Sequence, residues 1–440
     1  MAQSADVFEI THRSVFAIAL PMTLAYLTTP LVGVVSLGVI GQLGDPALVG
    51  GVSIGGLIFD LVFLSFNFLR SGTTGLVAQA LGAGNPREMT ATLARATLLA
   101  LGIGFVILVL NRPTLAIAQH LIGGSDAVQA ATRDYWHIRV LAAPMMLVNY
   151  VILGWLIGLG RAGYGLLLQI VLNGVNIVCA VLLVHVYGFG VAGTALASLA
   201  AETLAVIAGV AVVFRLVGRR ALPDRDEILS RAAFVRLMAL NRDILIRSFA
   251  LLSAFAVFTA RSAAAGDVVL AANEILMNLI VLAAYFLDGL AAAAEQLTGR
   301  AVGARRRAAF DRAVRLAVGW GYAVGGTLTL LLLGAGGLVV DLMTTSEPVR
   351  MAARGALIWA ALFPLCGTLA YQLDGVFIGA TWSLDMRNTM LFALAVYLAA
   401  GVALGAFLGI TGWWIALLVF LLTRGASLLW RSRVRVRSTF

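Results

Sequence analysis

The sequence predicts an all-α integral membrane protein: twelve transmembrane helices arranged as two parallel six-helix repeats. Three observations point there. Of the 440 residues, 61% are hydrophobic and only 12% charged, and apolar runs of about twenty residues, enough helix to cross the hydrocarbon core, recur along the chain. The two halves match each other at a nearly constant offset of 221 residues. All 31 basic residues are arginine, and they fall unevenly between alternate loops.

In order, the runs place spans at approximately 14–40, 47–69, 90–110, 136–159, 164–186, 191–217, 245–265, 268–299, 314–340, 355–380, 388–409 and 411–430. Residues 1–12 carry Asp6 and Glu9 and lack the basic stretch and short apolar core of a removable signal, so the first span is expected to target the chain itself. The span at 268–299 exceeds the bilayer thickness and should tilt, bend near Asp288 and Gly289, or project from the membrane. The expected organisation is an N-terminal lobe at 1–217, a cytoplasmic linker at 218–244 and a C-terminal lobe at 245–440.

The repeat rests on several blocks. "SDAVQAATRDYW" at 125 answers "SEPVRMAARGAL" at 346, Gly154 and Gly158 answer Gly375 and Gly379, and "QALGA" at 79 answers "RAVGA" at 300. Pro144 and Pro364 correspond with a slip of one residue. Each half has an even number of spans, so both enter from the same side; the repeat is parallel, and a cavity is expected between the lobes.

With a cytoplasmic N-terminus, only Arg112, Arg133, Arg139, Arg350 and Arg354 fall in external loops, while dense clusters such as "GARRRAAFDRAVR" fall inside. This is the positive-inside pattern, so the net charge of +10 orients the chain, leaves both termini in the cytoplasm and does not indicate nucleic-acid binding. Cys179 and Cys366 lie in separate apolar spans, and His12, His120, His137 and His185 have no ligand spacing. No disulfide, metal or other cofactor is expected.

Within "NEILMNLIVLAAYFLDGLAAAAEQ" at 273–296, Glu274, Asn278, Tyr285, Asp288 and Glu295 recur on one helical face. An ionised acid at the bilayer centre costs about 3 kcal/mol on the insertion scale, so these groups must face a cavity, find partners or bind protons. Polar contacts between helices, or acids near the interfaces, are the structural alternative, and Glu295, nearest the arginine-rich end, fits it best. In the second span Ser53, Asp60, Asn67 and Thr74 recur every seven residues, with Asp60 the most deeply placed acid of the first half and Arg70 near the cytoplasmic end. The tenth span sets Tyr371, Asp374 and Thr381 on one side with Gln372 adjacent, and Arg261 in the seventh span is the one deep arginine candidate, a partner for one of these acids. The GxxxG pairs suit close helix packing, and Pro21, Pro30, Pro144 and Pro364 permit bends. "GVSIG" at 51, "GLGRAG" at 158 and "GFGVAG" at 188 mimic enzyme motifs, but none follows a strand, so none carries that chemistry.

The blocks "NFLRSGTTGLVAQALGAGN", "YFLDGLAAAAEQLTGRAVGAR" and "LDGVFIGATWSLDMRN", with "VIGQLGD" and "IGGSDAV", resemble the DinF branch of the MATE family, the multidrug and toxic compound extrusion transporters, over nearly the whole length. The resemblance implies two six-helix lobes, a cavity opening alternately to either side, and efflux of amphipathic, often cationic, compounds in exchange for protons or sodium. One departure matters. Ser36-Leu37 stands where the family commonly has Asp-Thr, and Ala180 where relatives often carry aspartate. A serine hydroxyl does not titrate in the useful range; Asn173 and Asn176 remain as polar companions. Asp60 could take over, the second-lobe acids could carry coupling, or coupling could be lost.

The expected function is therefore antiport of amphipathic, cationic small molecules, coupled to H+ or Na+ through Asp60, Glu274, Asp288 and Asp374. Ser36, Asn67, Asn173, Asn176, Arg261, Asn278, Tyr285, Tyr371 and Gln372 are the supporting polar groups. A flippase for lipid-linked or amphipathic anions, an intramembrane enzyme, and a channel or coupling-deficient relative are the rivals. The protein is expected to act as a monomer in a bacterial plasma membrane.

Overall fold

In the computed structural model of the chain, residues 9–217 and 222–440 are described. Asp6, and residues 218–221 of the expected linker, lie outside them. The helices are α1 (His12–Gly41), α2 (Pro46–Leu64), α3 (Phe68–Gly82), α4 (Pro86–Val109), α5 (Asn111–Ile122), α6 (Asp126–Arg139), α7 (Ala143–Gly158) and α8 (Ala162–Val181). There follow α9 (Gly190–Leu216), α10 (Arg225–Ile228), α11 (Arg231–Ala264), α12 (Asp267–Gly303), α13 (Arg307–Met343), α14 (Glu347–Gly379), α15 (Ser383–Leu408) and α16 (Ile410–Thr439). Among the described residues, twelve helical stretches are long and apolar enough to cross a membrane, as the hydropathy pattern predicts.

Local signals set the helix ends. Asn85 accepts the Glu88 backbone N–H at 3.0 Å ahead of Pro86, a capped start to α4. Two expected spans are interrupted. A 3-10 turn at Ser65–Asn67 separates α2 from α3, and another at Val140–Ala142 separates α6 from α7 just before Pro144, whose ring cannot sit in a regular helix interior without cost. Its repeat partner Pro364 lies inside the unbroken α14. The α12 helix is continuous from Asp267 to Gly303. Its Gly289 is a point of close approach, since a Cβ there would lie 1.9 Å from Thr23 Oγ1 of α1. The α11 helix begins at Arg231, well inside the segment expected to be linker, so Arg247 lies several turns into a continuous helix.

The chain packs as two compact units. One holds Met1–Thr23 (described from residue 9), Ala78–Gly84 and Ala239–Phe440; the other holds Leu24–Val77 and Asn85–Met238. In the first, an apolar core gathers Phe258, Leu276, Phe363, Tyr397 and Trp414, with Phe258 edge-on to Trp414 at 4.6 Å. In the second, Val39, Ile40, Val52, Ala131, Tyr135 and Val191 pack together.

The repeat survives at atomic level. In one unit a Cβ on Gly154 would meet the Arg70 carbonyl oxygen at 2.3 Å, and one on Gly158 the Thr74 carbonyl oxygen at 2.9 Å. In the other, Gly375 faces the Ala291 carbonyl oxygen at 2.3 Å and Gly379 that of Glu295 at 2.2 Å, the same pairs displaced by the repeat offset. With lipid as apolar as any side chain, helices associate through van der Waals contact, and missing side chains let α7 seat on α3 and α14 on α12.

Candidate functional site

In the unit formed by Leu24–Val77 and Asn85–Met238, a polar group lies at mid-span. Asp60 of α2 is exposed on the helix surface, next to Phe59, whose ring lies 3.8 Å beneath the Arg139 guanidinium. Arg139 is thus not an external loop residue; it ends α6 inside the fourth span, within electrostatic reach of Asp60. Glu202 of α9 is only 6% exposed, so Asp60 is not the deepest acid of the first half. The Asn149 side-chain amide donates to Glu202 Oε2 at 2.7 Å and to its carbonyl at 3.1 Å. At about 1.5 Å of rise per residue, Asp60, Arg139 and Glu202 each lie three to four turns inside helices that begin at Pro46, Asp126 and Gly190.

The other predicted residues of this half separate. Asn173 donates to Thr28 Oγ1 at 2.6 Å, and Asn176 to Ser198 Oγ at 3.0 Å, tying α8 to α1 and α9. Ser36 is half-buried on α1. The seven-residue stripe does not persist beyond α2, because the 3-10 turn changes the winding at Asn67. Asn67 instead accepts from Arg70 Nε at 3.0 Å, and the buried Thr74 hydroxyl lies 3.0 Å from both the Arg70 and Gly154 carbonyl oxygens, which share its one proton.

In the other unit the α12 stripe grades from surface to core: Glu274 and Asn278 are exposed, Tyr285 and Asp288 half-buried, and Glu295 buried. Asp374 is ion-paired twice. Its Oδ2 accepts from Arg247 Nη1 at 2.6 Å and also from Arg424 Nη2, the latter guanidinium only 3% exposed. The Arg424 guanidinium sits 5.8 Å from the Tyr371 ring and feels Asp288. Asp374 Oδ1 and Arg424 Nε find no hydrogen-bond partner among the described residues. Gln372 donates to the Leu287 carbonyl at 3.1 Å. Arg261 joins none of these acids: it lies in the last turn of α11 and stacks 5.0 Å from the Trp413 ring. The deep arginines are Arg247 and Arg424.

Four functional candidates therefore escaped sequence reasoning. Glu202 had a signal, a lone acid in "ASLAAETLAVIAG". Arg139, Arg247 and Arg424 fall inside the spans read from hydropathy at 136–159, 245–265 and 411–430, but periodicity along one helix does not say which acid on another helix an arginine faces.

Among the described residues, twelve helices long and apolar enough to cross a membrane, in repeat-related halves with carboxylates and guanidiniums held inside the spans, define a polytopic membrane protein of transporter-like build. The sequence profile of the MatE family matches residues 21–182 and 244–404, and the chain belongs to that family. It is 39% identical to DNA damage-inducible protein F of Escherichia coli over 97% of this chain and 93% of that one. It is 30% identical to a protein of Caulobacter vibrioides described as "Probable multidrug resistance protein NorM", covering 79% of this chain and 73% of that one. Its fold matches an outward-facing multidrug resistance MATE family transporter of the MOP superfamily with a TM-score of 0.88 at 18% identity, over 97% and 96% of the two chains.

Proposed function

We propose that this MATE-type transporter is a cation-coupled antiporter that exports amphipathic, cationic small molecules across a bacterial inner membrane, with both termini in the cytoplasm. The observation that carries the reading is Glu202: a carboxylate buried at mid-span whose hydrogen-bonding side-chain partner is the neutral amide of Asn149. A buried charge of this kind is costly unless a cation accompanies it, so H+ or Na+ binding at Glu202 favours the sequestered arrangement and release favours the hydrated one. Such an ion shifts the conformational balance only by its differential affinity for the two arrangements, and the transition from buried to hydrated carboxylate supplies that difference.

Asp60 and Asp288 are the further coupling candidates, and Glu274, exposed on α12, is suited to drawing in positive charge. Asp374, already bridging two guanidiniums, is better suited to fixing α11, α14 and α16 together. The functional lobes in this reading are 1–217 and 245–440, joined by 218–244, acting as a monomer. The multidrug designation of the Caulobacter relative supports the substrate class, and the arginine distribution supports the orientation.

A second reading, transport or flipping of amphipathic anions, is favoured by one observation: two deep guanidiniums share one carboxylate oxygen. Purified protein in liposomes discriminates the two. Uptake of a fluorescent lipophilic cation should follow an imposed pH or sodium gradient and fall when Glu202 becomes Gln. Uptake indifferent to both gradients would overturn the antiport reading, and transport of a lipophilic anion in its place would establish the second.

A further inference from the structure

Seven residues at the end of α16, "RSRVRVR" at 431–437, carry four arginines that face two ways. Arg431 and Arg435, one turn apart, both engage the buried carboxylate of Asp385 on α15. Arg433 and Arg437, also one turn apart, line a different place: a cleft of about 470 Å³ between the start of α13, α14 and the end of α16. Helical geometry requires this split, because residues four apart share a face while residues two apart do not.

The floor of the cleft is apolar, made by Phe310, Val314, Leu373, Val376 and Val436, and its rim carries Arg307, Arg315, Arg433, Arg437 and Asp311. Asp311 is already 3.7 Å from Arg307. Arg315, Arg433 and Arg437 have no acidic group within ion-pair distance among the described residues, although acids hold Arg431 and Arg435 one face away. Three uncompensated guanidiniums over hydrocarbon is a chemical complement, not a packing solution.

Its level in the bilayer follows from the sequence. The uninterrupted apolar stretch of α13 begins directly after Arg315, and Trp430, 63% exposed, directly precedes the α16 arginines. Indole rings prefer the headgroup zone. The cleft thus opens where phosphates lie, at the end that the arginine asymmetry assigns to the cytoplasm, and its floor continues toward the acyl region.

We propose that this cleft is a binding site for an anionic phospholipid, a phosphatidylglycerol-type headgroup whose phosphate is held by Arg315, Arg433 and Arg437 while an acyl chain lies against the half-buried Val314 and Val436. Guanidinium suits this task because its planar fork matches phosphate oxygens, and basic clefts between spans on this face are where acidic lipids are retained. Phosphatidylcholine would bring a cation against the same arginines, and free phosphate would leave the apolar floor uncovered. The inference stands apart from the coupling mechanism and needs no transport step.

The test is native mass spectrometry of the full chain with dioleoyl phosphatidylglycerol or dioleoyl phosphatidylcholine, with inorganic phosphate as competitor. The wild type should retain phosphatidylglycerol at least about tenfold more tightly than phosphatidylcholine. The combined R315Q/R433Q/R437Q variant should lose that preference, and a charge-matched control, R225Q/R231Q/R306Q, should keep it. Equal retention of both lipids by the wild type, or an unchanged preference in the triple variant, would mean the arginines are only solvated, and displacement of lipid by equimolar phosphate would mean a free-anion site. Should the triple variant not fold, a photoactivatable phosphatidylglycerol on the wild type decides: labelling within 307–315 and 432–437 supports the site, and labelling confined elsewhere overturns it.

Discussion

Asn149 directs its side-chain amide onto the carboxylate of Glu202 at 2.7 Å, joining α7 to α9 within the membrane-spanning part of one unit. The same amide also meets the Glu202 backbone carbonyl at 3.1 Å, which anchors Asn149 to α9 while its other N–H holds the carboxylate.

Replacing Glu202 by Gln preserves a hydrogen-bonding group of nearly the same size but removes the charge. The Gln variant should remain extractable with a melting temperature near that of the wild type, while substrate-driven proton or sodium flux in liposomes drops by about a hundredfold or more, the range for losing a directly acting ionisable group. Ala at the same position should also lower stability by about 1–3 kcal/mol, because one N–H of the buried Asn149 amide loses its acceptor.

Asp374 should behave in the opposite way. Ala there strands Arg247 and Arg424 in a largely buried setting, and breaking a buried pair from one side costs about 3–5 kcal/mol. Thermal unfolding should show a large loss for D374A and a smaller one for D374A with R424A, since the double change also removes one orphaned charge. A D374A protein as stable as wild type with only transport impaired would assign Asp374 to the transport cycle.

The glycine contacts predict a matched pair of effects. Ala at Gly154 or Gly375 would place a Cβ 2.3 Å from a carbonyl oxygen of the facing helix, and the forced separation should cost about 1–3 kcal/mol. Ala at Gly326 of α13, whose added Cβ meets nothing within 4 Å, should be neutral or slightly stabilising because Ala is the better helix former. Melting curves in one detergent compare all three.

Arg261 stacks on Trp413 and has no ion pair among the described residues. Its Ala variant should lose only about 0.5–1 kcal/mol, the value of an exposed cation–π contact, and retain transport. A severe transport defect in R261A would restore it to the functional group.

Sequence alone determined the twelve spans, the parallel repeat, the family and the asymmetric arginines. Hydropathy and helical period are properties of contiguous residues, and the bilayer demands about twenty apolar residues wherever the chain crosses. It also made Gly154, Gly158, Gly375 and Gly379 legible as close contacts, because the spacing is itself the packing motif. Partnership across helices was decided only by tertiary structure. The fourth helical stretch reaches back to Asp126 through the 3-10 turn at Val140–Ala142, and α11 starts at Arg231, so Arg139 and Arg247 sit well inside these stretches rather than at their ends. Asp374 meets Arg247 and Arg424, and Glu202 meets Asn149, across separations of 127, 50 and 53 residues. An intramembrane charge must find compensation somewhere, but which residue supplies it depends on helix rotation, winding and offset, and these are fixed by contacts between helices rather than by neighbours in the chain.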